Sequence, residues 1–188
     1  SSAFVINAGT SGAVSLAGAG TGTAIGNMTV TGTTVAFGSD VTLGSTKTLT
    51  VTNAGVWTIG AETITAPGGI TQNGAGLTTL SGDATLATTN SAVTFGTAVN
   101  GGNNLTVTAG TGAVTFAGVG TGTAVGTMDV TGAAINFGGD VTLAASETLT
   151  VTNSGVWTIA SATITAPGGM RSEEHTSELQ SPCNLVCR

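Results

Sequence analysis

Residues 40–59 read DVTLGSTKTLTVTNAGVWTI, and residues 140–159 read DVTLAASETLTVTNSGVWTI. This is one text written twice, 100 positions apart, and the register holds without a gap from Gly12/Gly112 to Gly69/Gly169 with roughly two-thirds of the residues identical. Repetition at a fixed period marks a stacked array, in which a unit too small to bury its own apolar face buries it against its neighbours. The copies are expected because stacking sets like beside like. Inside the quoted stretch, apolar residues alternate with Thr in VTL (41–43), LTV (49–51) and WTI (57–59). A period of two is that of a β-strand.

The same short pattern extends in both directions: VSL at 14–16, MTV at 28–30, VAF at 35–37, TIT at 63–65, ATL at 84–86, VTF at 93–95 and LTV at 105–107. Turn strings rich in Gly and Asn (NAG, GSD, NGAG, SGD, NGGNN) separate the segments, and no window carries the 3.6-residue period of a helix. The chain therefore reads as all-β. The pattern V/I-x-F-G, beginning at Val35, Val93 and Ile135, recurs at intervals near multiples of 20. That spacing predicts a parallel β-helix, or β-solenoid, of about 20 residues per rung and five coils per 100-residue repeat. Val, Leu, Ile and Phe would point inward and Thr outward. About eight rungs at about 4.8 Å each give a rod roughly 40 Å long.

Composition agrees with a folded, uncharged array. The chain has 188 residues, only 6% charged and 4% aromatic, with no Tyr and a mean hydropathy of +0.40. Such hydropathy with regularly spaced Val, Ile, Leu and Phe argues against disorder. Thr and Gly interrupt every apolar run, so no transmembrane helix is expected. Up to Met170 the single base is Lys47, against Asp40, Glu62, Asp83, Asp129, Asp140 and Glu147. Nucleic acid is thereby excluded as a partner, because phosphate binding needs clustered Lys and Arg.

Residues 1–170 form the solenoid segment, with copies at 12–70 and 112–170. The amino terminus, SSAFVINAG, shows neither an initiator Met nor a targeting signal and reads as a fragment. After Met170 the repeat would continue TQNGAGLTTLSG, but residues 171–188 read RSEEHTSELQSPCNLVCR. That string resembles a translated sequencing adapter, and residues 171–188 are expected to be a non-biological, disordered tail. Its Cys183, Cys187 and His175 offer at most three metal ligands.

Each residue with chemical potential has a structural reading. Trp57 and Trp157 are expected as core fillers in preference to exposed sugar-stacking platforms. Asp40 and Asp140 follow Gly-rich corners, where a short acceptor bonds the turn backbone. Asn53 and Asn153 read as corner residues or members of a stacked Asn ladder. Lys47 is matched by Glu147, Glu62 by Ala162 and Asp129 by Thr29, so none belongs to a site that both copies share. A polysaccharide-cleaving site would need converging carboxylates and a base to stabilise developing negative charge, which Lys47 alone does not supply. TGTAIG and TGTAVG lack the Lys of a phosphate loop, and GGD at 138–140 is a solitary fragment of a calcium-binding coil. No catalytic, cofactor-binding or metal residue, and no cofactor, is expected.

Read together, residues 64–86 (ITAPGGITQNGAGLTTLSGDATL) and 93–132 (VTFGTAVNGGNNLTVTAGTGAVTFAGVGTGTAVGTMDVTG) resemble the repeats of filamentous-haemagglutinin-like and related β-strand-repeat bacterial surface proteins. The resemblance covers residues 1–170 and is one of composition and period. It implies a right-handed parallel β-helix in the stalk or passenger of a secreted or autotransported adhesin, at the cell surface of a Gram-negative bacterium. The partners it implies are neighbouring repeats of the parent chain and host-surface or glycan ligands. The expectation is thus a non-catalytic structural segment. A carbohydrate-active β-helix enzyme or glycan-binding module is the alternative. A Thr-rich ice-binding solenoid is a remoter one, because Thr pairs such as Thr48, Thr50 and Thr52 recur at irregular intervals.

Overall fold

The computed structural model describes residues 2–160 and 162–174. They form a parallel β-solenoid of about eight turns roughly 21 residues apart, without a helix. Each turn contributes up to three short strands, and equivalent strands of successive turns pair in parallel to give three faces. The first face has eight strands, from Phe4–Asn7 to Trp157–Ile159. The third has seven, from Val41–Thr42 to Gly169–Glu174. The second runs through five strands from Val14–Leu16 to Val99–Asn100, then through single bridges at Val119 to the pair Val141–Thr142 and Ile164–Thr165.

The pleat sorts the side chains as the alternation predicts. In Thr48–Asn53, Leu49, Val51 and Asn53 are buried while Thr48, Thr50 and Thr52 stay half-exposed. One continuous apolar column follows, running from Val14 to Val151 through the stacked turns. Its largest members form a file of rings: Phe37 edge-on to Trp57 at 6.3 Å, Trp57 stacked on Phe95 at 6.0 Å, then Phe116 and Phe137 at 5.3 and 5.6 Å. Such ring pairs add to the burial that already favours the column.

The expected five coils per repeat are corrected by the register. Met28–Gly32 lies on the first face of the second turn, and its copy Met128–Gly132 lies on the third face of the sixth. One repeat is therefore four turns and two faces. Corners hold more residues than a minimal rung: Ile70 pairs with Val93 and Leu105 with Met128, whereas Met28 pairs with Leu49. A hundred residues consequently fall short of five turns by one face. Like does not stack upon like between copies. What is kept is the partner within each copy, since Val35 pairs with Trp57 and Ile135 with Trp157, on the second face and the first.

At two places a strand gives way to a loop. Ala19 and Ile25 bridge to Val41 and Leu43 on the third face, and Val119 and Val125 bridge to Val141 and Leu143 on the second. The five residues between, GTGTA at 20–24 and 120–124, are thrown outward, with Thr21, Gly22 and Thr23 exposed and Thr121, Gly122 and Thr123 likewise. Gly20 and Gly120 begin these loops at φ +72° and +65°, and a Cβ on either would lie 2.0 Å from the carbonyl oxygen of Thr42 or Thr142. The backbones approach too closely there for any side chain.

The expectation of a disordered tail from residue 171 is also revised at its start. Gly169–Glu174 is a strand paired with Thr148–Asn153, so Arg171, Ser172, Glu173 and Glu174 extend the solenoid. Parallel pairing is made by the backbone, so residues that depart from the repeat can still occupy its register. Cys183, Cys187 and His175 lie outside the described residues.

Candidate functional site

Several Asp and Asn side chains at the corners reach across to the next turn. Asp40 accepts the N–H of Thr63 at 2.8 Å, Asp140 that of Thr163 at 2.9 Å, and Asn27 that of Thr48 at 3.1 Å. Asp83 accepts Asn104 N–H at 2.9 Å, Asn90 accepts Thr111 N–H at 3.0 Å, and Asn104 accepts Thr127 N–H at 2.8 Å. Each acceptor but Asn90, which lies three residues ahead of Val93, stands immediately before a strand, and each donor is the residue in register with its acceptor one turn later. The turn-setting role expected of Asp40 and Asp140 is thus made between turns, where a corner N–H would otherwise lack a ladder partner. Asp83 is engaged twice, since Asn104 Nδ2 also donates to its Oδ2 at 3.1 Å.

These staples have a measurable weight. Asp83→Ala is expected to lower stability by about 1 to 2 kcal/mol, the worth of a hydrogen bond to a charged acceptor. Asp129→Ala, which removes an exposed carboxylate on the third face, is expected to change it by less than about 0.5 kcal/mol. Urea titrations of the two variants against the parent chain check the contrast.

A second constellation is buried at the corner between the first and second faces. Asn53 and Gln72 are both fully enclosed. Gln72 Nε2 sits 2.8 Å from Asn53 Oδ1 and 3.0 Å from the carbonyls of Gly74 and Gly76, while its Oε1 accepts Thr97 N–H at 3.1 Å. Asn53 Nδ2 donates to the carbonyls of Gly55 and Leu77 at 3.0 and 3.1 Å. The ladder expected at Asn53 is therefore an Asn–Gln–Thr ladder. In the second copy Asn153 Nδ2 repeats the bond to Gly155 at 2.8 Å, but its buried Oδ1 has no partner among the described residues. Val151 faces Ser172 where Val51 faces Gln72. Ser172→Gln is expected to restore the missing donor and gain about 1 kcal/mol, read as a higher thermal midpoint.

The remaining candidates fall into place around these corners. Trp57 is wholly buried, as a core filler should be, and Trp157 is half-buried on the last described turn. Glu147 Oε2 accepts the Thr127 hydroxyl at 2.5 Å, whereas Lys47, its counterpart, forms no ion pair among the described residues. A shallow groove between the third and first faces is lined by Ser45, Thr46, Pro67, Gly68, Thr89 and Ser91. It offers hydroxyls but no acid or base. Among the described residues, no three His, Cys, Asp or Glu side chains converge as metal ligands would.

One arrangement was hidden by irregular spacing. Thr29, Thr50, Thr71, Thr94 and Thr115 occupy one register position on five successive turns of the first face, half-exposed and in line. Their sequence intervals differ because the corners differ in length, yet the sheet brings them into a single rank. No protein family, characterised protein or solved structure compared with the chain matches it.

Proposed function

We propose that the chain is a structural, non-catalytic segment of a large surface protein: the stalk or passenger solenoid of a secreted bacterial adhesin displayed at the cell surface. The observation that carries this reading is the use made of the corner Asp and Asn residues. Asp40, Asp83, Asp140, Asn27, Asn90 and Asn104 each bind the backbone of the following turn, so the side chains best suited to chemistry are engaged in stacking. A fold whose stability accumulates along its length suits a spacer that holds a binding region away from the cell.

Incubation of the purified segment with a panel of polysaccharides is expected to release no new reducing ends. Turnover abolished by Asp40→Asn or Asp83→Asn, with circular dichroism unchanged, would overturn the reading in favour of a carbohydrate-active enzyme. The location is tested by antibodies raised to the segment, which are expected to label intact cells of the source bacterium and to lose their target after brief protease treatment.

The threonine rank favours a second reading, that of an ice-binding face. A rigid rank of hydroxyls and methyls repeating at about 4.8 Å is a surface that crystalline water could match. Thermal hysteresis in the segment, lost in Thr71→Arg, is the outcome that would establish it.

A further inference from the structure

Glu62 stands at the corner that leads into the third face, next to Thr63, which is in register with Asp40 one turn earlier. It departs from the exposed Asp40 and Asp83 of the neighbouring turns in being only 5% exposed. Among the described residues its buried Oε1 has no hydrogen-bond partner, and its Oε2 lies over Gly60, where an added Cβ would come within 2.6 Å. The charged groups around it are all acidic. Asp40, one turn earlier, caps Thr63, the residue next to Glu62, and Asp83, one turn later, is held by Asn104. The one ion pair among the described residues, Arg171 with Glu173, is at the far end of the solenoid. A carboxylate enclosed in this way lacks both water and a counter-charge. The second copy has Ala162 at the equivalent position, so the corner closes without an acid.

We propose that Glu62 makes the junction between the second and third turns proton-sensitive: the corner packs around an uncharged Glu62, and ionisation of that side chain loosens it. Burial pushes the Glu62 carboxyl up from its ordinary value, the Gly60 N–H opposes this, and the negative charge of Asp40 adds to the rise. The folded chain thus holds the proton more firmly than the unfolded chain, whose glutamates titrate near about 4.3. The contribution of Glu62 to stability is greatest at and below that ordinary range, and it is lost as pH rises through the higher folded-state value.

The test compares the full chain with Glu62→Gln and Glu62→Ala between pH 4 and pH 8. Both variants are expected to melt above the parent at pH 8, with the gap closing as pH falls to 4. In the parent, the Glu62 carboxyl carbon followed by NMR is expected to titrate above the ordinary glutamate range, and Asp40→Asn, which keeps the cap on Thr63, is expected to move that midpoint down. A gap independent of pH, or a Glu62 that titrates in the ordinary range, overturns the proposal. So does a gap at pH 8 that added calcium closes in the parent alone, because the corner would then hold a cation and not a proton.

Discussion

Replacement of Trp57 by Ala is expected to destabilise the solenoid by about 3 to 5 kcal/mol, the cost of deleting a large buried ring and leaving a cavity that the column cannot close. Trp57 has no exposed surface, meets Phe37 edge-on at 6.3 Å and stacks on Phe95 at 6.0 Å. Its strand is flanked by Val35 and Thr78 on the adjoining turns, so the surrounding backbone is held on both sides. Trp157 carries the same neighbours in sequence but is half-buried, with one flanking strand among the described residues, at Ile135. Trp157→Ala is expected to cost about 1 kcal/mol. Because these are the chain's two tryptophans, each variant also isolates the fluorescence of the other. The emission left in Trp157→Ala should be that of a buried indole, and the emission left in Trp57→Ala that of a partly wet one. Equal losses of stability in the two variants would contradict the packing described.

Gly76→Ala is the second large effect. A Cβ at Gly76 would lie 1.4 Å from the carbonyl oxygen of Gly55 and 2.8 Å from Asn53 Nδ2. The obstacle is backbone one turn away, which is fixed by the Asn53 and Gln72 bonds and has no rotamer to change. Relief requires the NGAG corner to lift from the corner beneath it, and Gln72 would lose the Gly74 and Gly76 carbonyls as it did so. Overpacking alone costs about 1 to 3 kcal/mol, and each buried polar group left unpaired adds about as much again. A loss of about 4 kcal/mol or more is the expected outcome, measured by urea unfolding. Gly102→Ala, at a corner where a Cβ meets nothing within 4 Å, is the matched control and should be nearly silent.

Much of the fold was legible because its signals are local. The alternation in LTVTN needs only neighbouring residues to be read, and Leu49, Val51 and the intervening Thr residues lie on the sides it predicts. Trp57 was legible for the same reason. The face on which a strand lies is another matter, since it accumulates from every corner before it. The two extra residues between Ile70 and Val93, compared with the 21-residue step from Leu49 to Ile70, leave no mark on either strand, yet such residues turn five coils into four and two-thirds. The corner staples escaped for a related reason. Asp40 and Thr63 are 23 positions apart, and only the stacking of turns makes them adjacent. The mismatch of Glu62 with Ala162 excludes a site shared by both copies but reports nothing of burial. The burial of Glu62 depends on how a long side chain folds against Gly60, which no spacing rule reports.

The two-face remainder of the repeat has an outcome for how the rod would be met by a partner. The GTGTA loop leaves the third face in the first copy and the second face in the next. Continued at the same period, a third copy would carry it on the first face, and only after three copies, or 14 turns, would a loop stand directly above the one where the series began. At about 4.8 Å per turn, identical loops would climb the shaft as a spiral stair, one step every 22 Å or so and one circuit in about 67 Å. A shaft marked in this way has no preferred side. Rolled through any angle, it would offer an approaching surface the same element, and its contacts would depend on length alone.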